Sequence, residues 1–291
     1  MNKEFFLERY KNLGVAFEKI KLKQSIRVNA LKVSHRELRE RLHERGIVLK
    51  KIPYAKDGFF VEKTRFSISA SIEHLQGLFY IQESASQLPV FVLDPQPGEL
   101  VLDMTASPGG KTTQIAHYMK NKGCIIATDI KKIDALNNNL ERLGVQNCIT
   151  YQMDALEVKK FGYEFDRILL DAPCSGNIII DKDWYGKRSL KGIEGISELQ
   201  KKLLEAGLNV LKKNGVLVYS TCSLEPEENE LVVDWALKKF NVKLEPVKTI
   251  GSNGLVNVFG RKLDKEIKKT KRFWPLRTGT QGFFIARLRK K

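Results

Sequence analysis

The chain has 291 residues, 42% hydrophobic and 29% charged, which excludes a disordered or fibrous protein and fits one large domain or a main domain with a smaller companion. Lysine and arginine total 50 against 34 acids, a net charge of +16, which favours a polyanionic partner but also describes a lysine-rich solvated surface. Its apolar runs fall well short of the roughly 20 residues of a membrane span, and Met1-Asn2-Lys3-Glu4 opens no secretory stretch, so a cytoplasmic protein is expected.

In chain order, Ser25–Lys32 reads as a strand. Ser34 with Glu37 then forms a capping-box start for a basic helix, Arg36–Arg45, ended by Gly46. Ile47–Lys51, a Lys56-Asp57-Gly58 turn and Phe59–Val61 complete a small α+β appendage. The expected division is residues 1–80 as this extension and 81–291 as the main domain.

From about residue 98 the pattern alternates between strand and helix, as βαβ units of a parallel sheet do. Strands are expected at Leu100–Thr105, Cys124–Ile130, Cys148–Asp154, Arg167–Asp171 and Gly215–Ser220. Helices are expected at Lys111–Lys120, Lys132–Leu143, Ser197–Lys212 and Pro226–Lys239, the last opened by proline and acids. Gly144 and Asn214-Gly215 look like helix stops. Gly282–Leu288 reads as a closing strand at an antiparallel edge.

The segment Asp103–Thr112 follows the first of these strands and opens a helix, where glycines admit a ligand and helix-start amides attract negative groups. Gly110-Lys111-Thr112 imitates the end of a P-loop, but the leading glycine falls on Thr105 and Pro108 stiffens the loop. S-adenosyl-L-methionine fits better. Asp129, ending the second strand about 20 residues on, stands where a ribose-binding acid is expected. Asp154, ending the third strand, is placed for the adenine amino group, and Asp171 ends the fourth. Each aspartate alone is equally a helix cap.

Four cysteines without C-x-x-C spacing exclude a disulfide scaffold, and His35, His43, His74 and His117 form no ligand pattern, so no metal is assigned. Cys124 and Cys148 begin apolar runs and read as small hydrophobes. Cys174 and Cys222 instead follow the apolar runs ending at Asp171 and Ser220. If those runs are neighbouring parallel strands, both thiols lie at the carboxyl edge, where open α/β sheets bind ligands. Two thiols beside a carboxylate suit chemistry in which one sulfur adds to a substrate and another group helps it leave.

Ala106–Thr112, Asp171-Ala172-Pro173-Cys174-Ser175-Gly176 and Ser220-Thr221-Cys222-Ser223 with Glu227-Glu228-Asn229-Glu230 resemble the Sun family of RNA 5-methylcytosine methyltransferases. So do Ser25–Lys32, Tyr80-Ile81-Gln82-Glu83 and Gln281-Gly282-Phe283-Phe284, so the likeness spans nearly the whole chain. It implies an α/β, Rossmann-like S-adenosylmethionine-dependent methyltransferase fold with a mostly parallel seven-stranded sheet and an N-terminal RNA-binding extension. The residues it implies at the cofactor are Thr105, Ala106, Ser107, Pro108, Gly109, Gly110, Lys111, Asp129, Asp154 and Asp171. Cys222 would be the nucleophile and Cys174 the thiol that assists release. The substrate it implies is RNA, transfer RNA before ribosomal RNA. Members of the family often carry Cys-Ala-Ala where this chain has Thr105-Ala106-Ser107.

The chemistry agrees with those assignments. Carbon 5 of a pyrimidine becomes nucleophilic once a thiolate adds at carbon 6, and a thiol of ordinary pKa, about 8.5, needs a cation or oriented amides to ionise. Lys111 is the nearest candidate cation by motif. Asp171 would bond the ring nitrogen and exocyclic amine of cytosine. The target base must be unpaired or flipped. Arg27, Arg36, Arg39, Arg41, Arg45, Lys182, Lys187, Arg188, Arg272 and Arg277 are candidate phosphate contacts, and Trp184, Tyr185, Phe273 and Trp274 candidate stacking surfaces. Competing readings are a non-catalytic RNA-binding assembly factor and an amino-group methyltransferase, which would need neither thiol.

Overall fold

The structure is a computed structural model that describes residues 2–15 and 20–291. It divides into two compact units, one of residues 23–157 and 165–169, the other of 1–22, 158–164 and 170–291. Residues 1–80 are therefore shared between units, with the break at Leu22 and Lys23.

The unit beginning at Lys23 opens with an antiparallel sheet in the order Val48–Lys51, Gly58–Lys63, Ser25–Val28, Phe79–Ile81. The helix His35–Glu44 lays Leu38 and Leu42 on Ile26, Val28, Phe59 and Phe79, which gives this sheet its own core. Ser34 Oγ accepts from Glu37 N at 3.2 Å, as the capping-box reading requires, but the Glu37 carboxylate accepts from Arg41 at 2.6 Å. Such a cap stabilises by about 1 kcal/mol.

In the same unit, Phe165–Leu169, Leu100–Asp103, Cys124–Asp129 and Cys148–Gln152 lie side by side in that order, all parallel. Val101, Leu102, Ile125, Ala127, Ile168 and Leu169 are buried, the near-continuous apolar pattern of strands covered on both faces. The crossovers are the helices Gly110–Tyr118 and Asp134–Leu143, the latter stopped by Gly144 at φ +75° as expected. This is the Rossmann-like α/β arrangement expected, and it brings Asp103 and Asp129 to the carboxyl edge, but the sheet has nine strands and is mixed, not seven and mostly parallel, because short antiparallel strands late in the chain add to it.

In the other unit, the strand Leu211–Thr221 pairs antiparallel with Phe283–Lys290, from Val216 opposite Arg289 to Thr221 opposite Phe284. The closing strand is not an edge. Lys271–Phe273 and Val242–Glu245 pair with its other side, and Ser252–Asn253 pairs with Lys271–Phe273. These short strands carry too little alternation to be read from sequence.

Asn214 adopts φ +62° inside the strand Leu211–Thr221 and does not stop the preceding helix, which runs Leu190–Asn209. Pro226–Glu228 forms a 3₁₀ turn, and Asn229 at φ −118°, ψ −97° breaks it from the helix Glu230–Lys239, so the acids there serve another purpose than a helix start. Phe6 and Tyr10 of the helix Asn2–Asn12 pack with Trp184, Ile193, Leu224 and Trp274 in a second core.

Candidate active site

The strand Phe165–Asp171 ends at Asp171, and Ala172 N donates to the Ser220 carbonyl at 2.8 Å, so it leaves at the same end as Leu211–Thr221. Asp171 Oδ1 accepts from Ser220 Oγ at 2.6 Å. Past these strand ends, the sulfurs of Cys174 and Cys222 lie 2.9 Å apart, both residues only partly buried. The hydrogen bond to Cys222, then burial and the charge of Glu228, hold the Cys174 thiol well above the usual cysteine range, against the Gly176 amide.

The loops carrying the thiols are held from beneath by buried polar groups. Glu228 accepts from Ser175 N at 2.9 Å, Ser175 Oγ, Ser223 Oγ at 2.7 Å and Gln200 Nε2 at 3.0 Å. Asn177 Nδ2 donates to the carbonyls of Cys222 at 2.7 Å and Gly282 at 3.2 Å. The Ser175 carbonyl accepts from Trp184 Nε1 at 2.8 Å and Arg188 Nε at 2.9 Å. Sequence reasoning missed this support. Its one signal was a cluster of acids after Cys222 in a chain otherwise strongly basic.

The cofactor candidates Thr105–Lys111, Asp129 and Asp154 lie in the unit 23–157. Gly109 caps the helix Gly110–Tyr118 at φ +102°, and a Cβ at Gly110 would meet Tyr80 Cε1 at 2.9 Å, so backbone alone forms the turn. Ser107 N and Lys131 N donate to the two carboxylate oxygens of Asp129, each at 2.9 Å, which aims the group while leaving acceptor capacity for hydroxyls. Asp154 Oδ1 accepts from Leu156 N at 2.9 Å. A turn built on Gly109-Gly110, a fixed acid at the next strand end and a second acid beyond it fit the adenosine of S-adenosyl-L-methionine.

Residues 90–289 match the family described as 16S rRNA methyltransferase RsmB/F, and residues 2–84 match the N-terminal domain of 16S rRNA methyltransferase RsmF. The chain belongs to the Sun family of RNA (cytosine-5) methyltransferases. Among its relatives in this family is the tRNA (cytosine(49)-C(5))-methyltransferase of Pyrococcus abyssi, 43% identical over 92% of this chain and 88% of that protein. The 28S rRNA (cytosine-C(5))-methyltransferase of Mus musculus is 41% identical, but the chain spans only 35% of its length. Two solved structures from Pyrococcus horikoshii are also similar. A methyltransferase homolog superposes with TM-score 0.87 at 47% identity, covering 94% of this chain and 88% of the other. NSun6 with SFG superposes with TM-score 0.84 at 29% identity, covering 99% and 94%. S-adenosyl-L-methionine is the cofactor of this Sun-family enzyme.

Several expected RNA contacts have other roles. Arg27 is buried and donates to Gln82 Oε1 at 2.6 Å, the Gly110 carbonyl at 2.5 Å and Thr113 Oγ1 at 2.7 Å. Arg272 is buried against the Glu230 carboxylate and the Leu224 carbonyl. Trp184, Phe273 and Trp274 are core residues, so none offers a stacking face. Arg36 and Arg41 pair with Glu40 and Glu37 along their own helix, and Arg45 with Glu73. Lys187 pairs with Asp181, and Arg277 reaches the Ser252 hydroxyl and the Gly14 carbonyl. Arg39 and Lys182 remain exposed, and Tyr185 is half-buried beside Phe6 and Trp184. Among the described residues no helix is long and apolar enough to cross a membrane, and no cluster has a metal-ligating arrangement.

Proposed function

We propose that this Sun-family enzyme forms 5-methylcytidine in transfer RNA through a covalent bond from Cys222 to carbon 6 of the base. The observation that carries the reading is the contact between the Cys174 and Cys222 sulfurs beside Asp171 at the strand ends. The preference for transfer RNA is supported by the likeness to the Pyrococcus abyssi tRNA (cytosine(49)-C(5))-methyltransferase, 43% identical over 92% of this chain.

In this reading the Cys222 thiolate adds to carbon 6, and the resulting enamine makes carbon 5 the nucleophile that accepts the methyl group. S-adenosyl-L-methionine supplies that methyl when bound. Thr105, Ala106, Ser107, Pro108, Gly109, Gly110 and Lys111 would hold it by backbone and helix-start amides, Asp129 by the ribose hydroxyls and Asp154 by the adenine amine. Lys111, in the first turn of its helix, is assigned as the cation that favours thiolate. Asp171, fixed by Ser220, would take the exocyclic amine and ring nitrogen, which separates cytosine from uracil. A base then removes the carbon 5 proton and the Cys222–C6 bond breaks with Cys174 assisting.

The test is methylation of total RNA with labelled donor, followed by digestion to nucleosides and separation of transfer from ribosomal fractions. Label in 5-methylcytidine from transfer RNA, absent with Cys222→Ala, is expected. Label in an exocyclic amine, or full activity of Cys222→Ala, would overturn the reading, and label confined to ribosomal RNA would overturn the substrate.

A further inference from the structure

Glu228 is fully buried beneath the thiol loops, and both its oxygens are used. One accepts from the hydroxyls of Ser175 and Ser223, the residues that follow Cys174 and Cys222 respectively. The other accepts from Ser175 N and from Gln200 Nε2, and Gln200 Nε2 also donates to the Pro173 carbonyl, just before Cys174. The Glu228 carbonyl accepts from Tyr219 on the strand that delivers Cys222. A single carboxylate thus ties the residue after one sulfur to the residue after the other.

Such a group is an expensive way to hold a fold. Burying a charge costs free energy that an apolar side chain of similar volume would not. Every bond to it comes from a group anchored in a thiol loop or in the helix beside them, so its directional need is to fix one loop on the other. Ser175 and Ser223 hydroxyls also approach each other at 3.3 Å, which leaves no slack for a slip of either loop.

We propose that Glu228 is a positioning residue of the thiol pair: through Ser175 and Ser223 it sets the register in which the Cys174 sulfur meets the Cys222 sulfur. This rests on the reading of Cys222 as nucleophile and Cys174 as the thiol that assists its release. Glutamine at 228 would turn an amide N–H₂ toward donors, and aspartate would fall short of both serines. In either case the loops lose their common anchor, and expulsion of Cys222 from the methylated base slows.

The experiment compares Glu228→Gln, Glu228→Asp and Ser223→Ala with the wild type for kcat, for KM toward donor and RNA, and for covalent RNA–protein adduct on denaturing gels. Loss of an outer hydrogen-bonding group that orients a metal ligand typically costs about 10- to 100-fold, and the same scale is expected for one that orients a reacting thiol. The expected result is a fall of that order in kcat for both Glu228 variants, with KM values within about twofold of wild type, and adduct accumulating during turnover. A structural role alone would lower the melting temperature without adduct. A folded Glu228→Gln with wild-type kcat and no adduct would overturn the proposal. If the Glu228 variants do not fold, Ser223→Ala decides: wild-type kcat without adduct overturns it, and slowed release supports it. Undiminished methylation by Cys222→Ala would instead overturn the functional reading beneath it.

Discussion

The hydroxyl of Tyr10 donates to Oε1 of Glu225 at 2.7 Å, joining the helix Asn2–Asn12 to the segment three residues beyond Cys222. Arg9 adds a contact to Glu225 Oε2 at 3.2 Å and a closer one to Glu227. The Glu225 side chain is wholly buried, and burial pushes its carboxyl up to about 7, with Tyr10 and Arg9 pulling the other way.

A carboxyl raised in the folded state holds its proton where the unfolded chain has released it. Between pH about 4.5 and about 7 the folded state binds more protons, so stability falls as pH rises through that window. The size is on the order of 3 kcal/mol, from 1.36 kcal/mol per unit of pKa. Glu225→Gln keeps an acceptor for Tyr10 and should flatten this slope in denaturant melts at pH 5 and pH 8. An unchanged slope would assign the pH dependence elsewhere.

Arg27 is buried against the loop proposed to hold the cofactor. Its guanidinium, lowered to about 10 by burial, bonds Gly110, Thr113 and Gln82 together. Lysine lacks the planar fork that serves these acceptors at once. Arg27→Lys should raise KM for S-adenosyl-L-methionine by about tenfold, the loss of roughly 1.4 kcal/mol of hydrogen bonding, with KM for RNA and its salt dependence unchanged. A weaker salt slope with normal donor KM would return Arg27 to the phosphate contacts.

Asp129→Asn keeps the shape of the side chain but gives up one of the acceptors now fixed by Ser107 N and Lys131 N. Donor affinity measured by calorimetry should fall by about tenfold or more, the effect of about 1.4 kcal/mol, while RNA affinity holds. Equal donor affinity would remove Asp129 from the cofactor site.

Arg272 and Glu230 form a buried ion pair, with Leu255 N also donating to Glu230 at 3.1 Å. Arg272→Ala strands the carboxylate and should cost about 3 to 5 kcal/mol of stability by denaturant unfolding. RNA binding by the folded fraction should keep its wild-type salt dependence. A variant as stable as wild type, with reduced salt dependence, would contradict the buried-pair account.

The sequence made the parallel strand–helix core readable because its strands are apolar throughout and its crossovers are amphipathic, as at Ile168–Leu170 and Leu136–Leu143. Gly144 announced its helix stop through the left-handed conformation that glycine tolerates. The approach of Cys174 to Cys222 followed from two apolar runs ending alike. Less readable was what polar residues do once buried. Arg27 and Arg272 look like surface cations because charge says nothing about burial, and the acids from Glu225 to Glu230 look like a helix start because dipole and anchoring roles share a composition. Trp184 and Trp274 look like stacking platforms until the helix Asn2–Asn12 packs over them. These are tertiary choices, made between segments far apart in the chain.

The most direct test of the covalent reading is incubation of Cys174→Ala with transfer RNA and S-adenosyl-L-methionine, followed by denaturing electrophoresis. An RNA–protein adduct should accumulate, and it should vanish in the Cys174→Ala, Cys222→Ala double variant. Absence of adduct from a Cys174→Ala protein that still methylates at the wild-type rate, or an adduct that survives loss of Cys222, would contradict the assignment of the two sulfurs.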